Sequence, residues 1–114
     1  MDRKKINVRK LVSEYIKGFP SDIKIEGVFL FGSYATGKIR EDSDVDLVII
    51  SPDFKQLEFM ERLVLLSKLR KSKLTCSVPM DIIGYTPEEF ENIDKESIIM
   101  RRAKREGKMI FSAK

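Results

Sequence analysis

The chain contains no histidine and a single cysteine, Cys76. Without imidazole ligands a zinc site of the usual kind is excluded, and a lone thiol cannot close an internal disulfide. Long apolar runs are missing too. The longest, such as Leu63-Val64-Leu65-Leu66, are four residues, far short of the ~18 that mark a membrane span. The opening run Met1-Asp2-Arg3-Lys4-Lys5 is basic but lacks the apolar stretch of a secretion signal. No internal repeat, low-complexity segment or interdomain linker is present. These absences predict a soluble, cytoplasmic protein of one domain, residues 1–114, with no membrane partner. A chain of 114 residues buries only about 65% of its unfolded surface, so there is little spare core and a partner can matter for stability.

Charge comes next. A net charge of +4 attracts phosphates, but the Lys and Arg residues are spread among many Glu, and aromatics are not interleaved with them as a single-strand-binding surface requires. Solvated helix faces account for most of this charge better than a nucleic-acid surface does. The exception is Arg101-Arg102-Ala103-Lys104-Arg105, a cluster suited to a nucleotide phosphate, a tRNA or an acidic partner.

Periodicity predicts the order α-β-α-β-α-β-α-β. Ile6, Val8, Leu11, Val12, Tyr15 and Ile16 form a helical stripe that Gly18 and Pro20 end. A strand from about Ile25 to Phe31 and a short helix from Ser33 follow. After a second apolar strand, Ser51-Pro52-Asp53 breaks the run, and Leu57, Met60, Leu63, Val64, Leu66 and Leu69 mark a second long helix. A strand over Ser77 to Ile83 comes next. Thr86-Pro87-Glu88-Glu89 is a capping box with proline at the first helical position. The helical stretch through Ile98, Ile99 and Ala103 stops at Gly107, leaving Lys108 to Phe111 as a last strand.

The chemistry concentrates between Phe31 and Ile50. Successive side chains of a strand point to opposite faces, so Asp44 and Asp46 project together while Val45, Leu47 and Ile49 anchor the other side. Two carboxylates so placed suit a hard cation. Upstream, a helix beginning near Ser33 aims backbone N–H groups and its positive dipole end at the strand terminus, where a phosphate can sit. Ser33 adds a hydroxyl, and Gly32 permits a tight turn and close backbone approach. Two other motifs overlap these residues. Gly32-x-x-x-x-Gly37-Lys38 fits most of a P-loop, but Ile39 stands where Ser or Thr is needed, and only a short polar stretch precedes the next strand. Asp42-Ser43-Asp44-Val45-Asp46 fits the start of a calcium loop, but Leu47 and Asp53 occupy the positions that require Gly and Glu.

Gly32-Ser33, ten residues, then Asp44-Val45-Asp46 resembles the signature of the polymerase-beta-like nucleotidyltransferases. The fuller match, Gly32-Ser33-Tyr34-Ala35-Thr36-Gly37 through Ser43-Asp44-Val45-Asp46-Leu47, is similar to the minimal nucleotidyltransferase branch. Tyr85 to Phe90 and Arg105 to Phe111 also resemble that branch, so the likeness runs from about Val28 to the C-terminus. It implies an α/β fold with a small mixed sheet flanked by helices. It implies that Gly32 and Ser33 hold nucleotide phosphates, and that Asp44, Asp46 and a third carboxylate, Asp81, bind Mg2+, two ions in all, as the catalytic residues. It implies Mg-ATP as the nucleoside triphosphate, with AMP moved to a hydroxyl on a HEPN-type partner that the protein restrains as an antitoxin.

Attack on an α-phosphorus explains the need for three carboxylates, because two metals about 3.5 to 4 Å apart can clamp the attacking and leaving oxygens. Asp81 either ligates the second metal or accepts the proton. Larger relatives carry a further domain that holds the acceptor, so the acceptor site is expected to be shared with another protein, or with another subunit of a homo-oligomer. Two alternatives come from other classes: a non-catalytic antitoxin module, and a transferase acting on small molecules of the antibiotic type. Three like charges argue against the first, and the missing acceptor domain argues against the second.

Overall fold

The computed structural model describes residues 6–113, so the basic opening run discussed above lies outside the described residues. Strands β1 (Gly27–Phe31), β2 (Val45–Ile50), β3 (Met80–Tyr85) and β4 (Lys108–Ser112) form one sheet in the order β3-β2-β1-β4. β1 runs antiparallel to β2 and β4, whereas β2 and β3 are parallel, so the sheet is mixed as expected. The parallel step requires a crossover, and residues 51–79 supply it.

Both faces of the sheet are covered. On one, Val28 and Leu30 of β1 and Val45, Leu47 and Ile49 of β2 pack with Leu11, Val12 and Tyr15 of helix α1 (Val8–Lys17) and Leu66 of α3 (Phe59–Lys68). On the other, Phe29, Val48 and Ile50 pack with Ile93 of α5 (Pro87–Glu96) and Met100 of α6 (Ile98–Glu106). The alternation expected of β2 is therefore real, but its second face is apolar beyond Asp46. Only the first turn of the strand presents a carboxylate.

Local signals set most boundaries. Asn7 caps α1 by accepting from the Lys10 amide, which leaves Ile6 outside the helix although it still packs on the core. Thr86 accepts from the Glu89 amide at 3.2 Å while the Glu89 carboxylate accepts from the Thr86 amide at 2.8 Å, the reciprocal cap read from the sequence.

Three elements differ from expectation. A short helix, α4 (Lys73–Ser77), precedes β3, so Ser77 ends a helix instead of opening the strand; Ser72 and Thr75 cap it through paired hydroxyl bonds. Pro52–Gln56 folds as a 3-10 turn. The last helical stretch is two helices, because Ser97 adopts an extended conformation, gives its amide to Ile93 and caps α6 with its side chain. That break lets α6 fold back on α5 and brings its exposed face to the cleft described below.

Candidate active site

The turn after β1 is built on two glycines in the left-handed half of the map, Gly32 at φ 70° and Gly37 at φ 84°. Between them lies α2 (Ser33–Thr36), a single turn. The Ala35 and Thr36 amides donate to the Gly32 carbonyl and the Gly37 amide to the Ser33 carbonyl. Tyr34 is buried in the core and anchors the turn. Gly32 is required twice over. Its backbone angles are closed to other residues, and a β-carbon there would run into the Asp46 carboxylate. The phosphate-type turn and the carboxylate are thus in direct contact.

Strand register does the rest. Asp46 of β2 is paired with Phe31 of β1 on one side and with Asp81 of β3 on the other. Parallel neighbours in register place their side chains on one face, so Asp46 and Asp81 stand side by side across adjacent strands. Asp44 lies one residue before β2, exposed, with the strand tied down next to it by the Val45 amide donating to the Pro79 carbonyl. Asp46 is half-buried, and its carboxyl is pushed up to about 6, first by burial and then by the charges of Asp81 and Asp44. Like charges brought together at the edge of a core are what a cation would relieve.

The donor set is all carboxylate oxygen, which suits a hard divalent cation. Among the described residues no three acidic, thiol or imidazole side chains are already gathered closely enough to hold a metal by themselves. Coordination by these aspartates would therefore be completed by phosphate oxygens and water, as magnesium favours.

A cleft of about 500 Å³ opens from the turn. Phe31, Gly32, Ser33 and Thr36 line it from β1 and the turn, and Lys38, Arg40, Asp42 and Ser43 form one wall. The other wall is the α6 face made by Ile99, Arg102, Ala103 and Glu106. None of the three aspartates is part of its lining; Asp46 meets it only through Gly32.

Sequence reasoning missed Arg40, Ser43, Ile99 and Glu106, although the spacing of 99, 102, 103 and 106 places four residues on one helical face. Lys38 was noticed only through the P-loop pattern. The structure rejects that pattern, because Lys38 follows a finished one-turn helix and does not open a long one. The basic cluster of α6 divides. Arg101 donates to the Asp94 carbonyl, and Lys104 binds the Phe90 and Glu91 carbonyls and the Asp94 carboxylate. Both tie α6 to α5, and of this cluster only Arg102 and Ala103 line the cleft. Asp53 is engaged elsewhere, accepting from the Lys24 amide at 2.7 Å.

The chain resembles known proteins in sequence and in fold. Residues 12–105 match the family model described as nucleotidyltransferase domain. A Methanocaldococcus jannaschii protein named as a candidate protein adenylyltransferase is 37% identical over 59 residues, 46% of this chain and 60% of that protein. A second protein of the same name and organism is 30% identical over 64 residues, 56% of this chain and 64% of its own. The chain thus spans a little under two thirds of these relatives. Among solved structures, a candidate nucleotidyltransferase of Sulfolobus solfataricus superposes with a TM-score of 0.61 at 21% identity, over 93% of this chain and 78% of that one. A toxin-antitoxin structure containing AMP-PNP gives 0.61 at 20% identity, over 96% and 76%. These likenesses establish the polymerase-beta-like fold.

Proposed function

The chain belongs to the nucleotidyltransferase domain family, and on that premise we propose that it moves a nucleoside monophosphate, AMP from Mg-ATP, to a hydroxyl on a partner protein. The observation that carries this reading is the register that sets Asp46 beside Asp81 while the Asp46 carboxylate touches the Gly32 turn. A phosphate held at Gly32 and Ser33 would lie next to acidic oxygens, which is tolerable only with a cation between them.

In this reading Gly32 brings backbone close to the triphosphate and Ser33 donates its hydroxyl to a phosphate oxygen. Asp44 and Asp46, with Asp81, hold Mg2+, two ions on the family pattern. The metal, when bound, neutralises phosphate charge and lowers the pKa of the attacking hydroxyl. The acceptor oxygen forms its bond to the α-phosphorus as the bond to pyrophosphate breaks. The hydroxyl proton leaves to Asp81 or to water, and Asp81 acts as that base or as a metal ligand.

The protein acceptor is supported by the relatives named as candidate protein adenylyltransferases. The antitoxin role, with a HEPN-type toxin as acceptor, is supported by the minimal-branch motif around Gly32 to Leu47 and by the fold shared with toxin-antitoxin structures. A non-catalytic binding module accounts less well for a half-buried aspartate held against two others.

The test is intact-mass spectrometry of a purified HEPN-type protein after incubation with this protein, Mg2+ and ATP. The expected result is a gain of one or more AMP units, abolished by Asp81→Asn at unchanged thermal stability. An unmodified acceptor that is nonetheless inhibited on mixing would instead establish the binding module.

A further inference from the structure

The cleft wall formed by α6 carries an i,i+4 ion pair. Glu106, the last residue of α6, accepts from the Arg102 guanidinium at 2.6 Å. The hydrogen bond from Arg102 holds its carboxyl below the usual range, and the charges of Arg105 and of Lys38, which lies across the cleft, act in the same direction. Glu106 thus lies within the electrostatic reach of cations from α6 and from the loop after α2, and a second carboxylate, Asp42, lines the same cleft. Arg40 lines the same loop wall. The Arg102 side chain is 74% exposed, so the pair is a weak surface ion pair that can be exchanged for a better anion.

We propose that Glu106 is a placeholder for the polyphosphate tail of the nucleotide, and that Arg102 and Lys38 close on the β- and γ-phosphates once that tail displaces it. The inference rests on the function proposed above and extends it to the side of the cleft away from the aspartates. Gly32 and Ser33 line the same cleft as Lys38, Arg40 and Arg102, so a polyphosphate held at the turn lies within reach of these cations. A guanidinium can grip two phosphate oxygens at once. Glu106 satisfies these cations while no nucleotide is present and opposes any anion weaker than a triphosphate. The wall therefore discriminates by number of phosphates.

Calorimetric titration with Mg-ATP and with AMP tests this on the wild type and on Arg102→Ala, Arg102→Lys, Lys38→Ala and Glu106→Gln, each checked for an unchanged melting temperature. Arg102→Ala and Lys38→Ala are expected to weaken Mg-ATP about tenfold and leave AMP unaffected, with Arg102→Lys in between. Glu106→Gln is expected to tighten Mg-ATP about two- to fivefold, a change of opposite sign that loss of helix structure cannot produce. Unchanged Mg-ATP affinity in Arg102→Ala overturns the proposal and leaves the proposed function standing. So does an equal loss for ATP and AMP, which would put Arg102 on the nucleoside, or weaker binding by Glu106→Gln, which would make Glu106 a support for Arg102. Normal nucleotide affinity with transfer to the protein acceptor lost would assign the wall to an acidic partner segment instead. A wild type that binds no nucleotide removes both readings.

Discussion

Asp46 is the residue at which the proposed function is set against stability. Its carboxyl, ordinarily near 3.8, is raised to about 6 by burial and by Asp81 and Asp44. The unfolded chain releases this proton near 3.8, whereas the folded chain holds it until about 6. Between those values the native state binds more protons, so stability falls as pH rises through that window and stays reduced above it. Asp46→Asn removes the penalty. The variant is expected to melt higher than wild type at pH 7.5 without metal, and the gain should shrink toward zero by about pH 3, below both the folded and the unfolded value, where the Asp46 carboxyl is protonated in both states. Thermal melts across this range check the expectation, and a gain independent of pH would contradict it. The placement of Asp46 on a strand with Val45 and Leu47 facing the core was legible in the sequence because strand period is local, although Asp44 lies one residue before that strand. The rise in Asp46 was not, because it depends first on burial in the folded sheet and then on Asp81, which arrives from a strand formed after a crossover of nearly thirty residues.

Helices α3 and α5 and strand β3 are joined by one side chain. Arg62 of α3 is buried; its guanidinium donates to the Leu57 carbonyl at 3.1 Å and the Gly84 carbonyl at 3.2 Å, and meets Glu89 at 2.6 and 3.3 Å. Glu89 also caps α5, so the same contact fixes where that helix begins. Arg62→Ala leaves buried carbonyls without a donor and is expected to cost about 3 kcal/mol, measured by urea denaturation. A loss under about 0.5 kcal/mol would mean the pair behaves like an ordinary surface bridge. From sequence, Arg62 looked like part of a solvated face, since helical period locates a stripe but not the strand whose carbonyl an arginine will reach. The capping box at Thr86 was legible because both partners lie within one turn. The break at Ser97 was not, because a serine can either continue a helix exposed or cap the next one, and packing of α6 on α5 decides.

The molecule as a whole resolves the sequence's two separate signals into one place. The glycine-serine turn and the aspartate pair are ten residues apart in the chain, yet antiparallel pairing of β1 with β2 sets Phe31 opposite Asp46 and closes that gap. The parallel pairing of β2 with β3 adds Asp81. The break before α6 adds a wall of Ile99, Arg102, Ala103 and Glu106, of which Arg102 and Ala103 come from the cluster that sequence alone left open between a nucleotide phosphate, a tRNA and an acidic partner. The sheet order, which no local pattern specifies, is what brings these parts together. In the proposed function the turn and the carboxylates form a single site for a metal-bound nucleoside triphosphate. Calorimetric titration of ATP, with and without Mg2+, into wild type and the Asp44→Asn, Asp46→Asn double variant measures that claim most directly. Wild type is expected to bind ATP with Mg2+ and to lose most of that affinity when the metal is chelated, while the double variant binds weakly under both conditions. Equal Mg-ATP affinity in the two proteins, or full binding by wild type without metal, would contradict it.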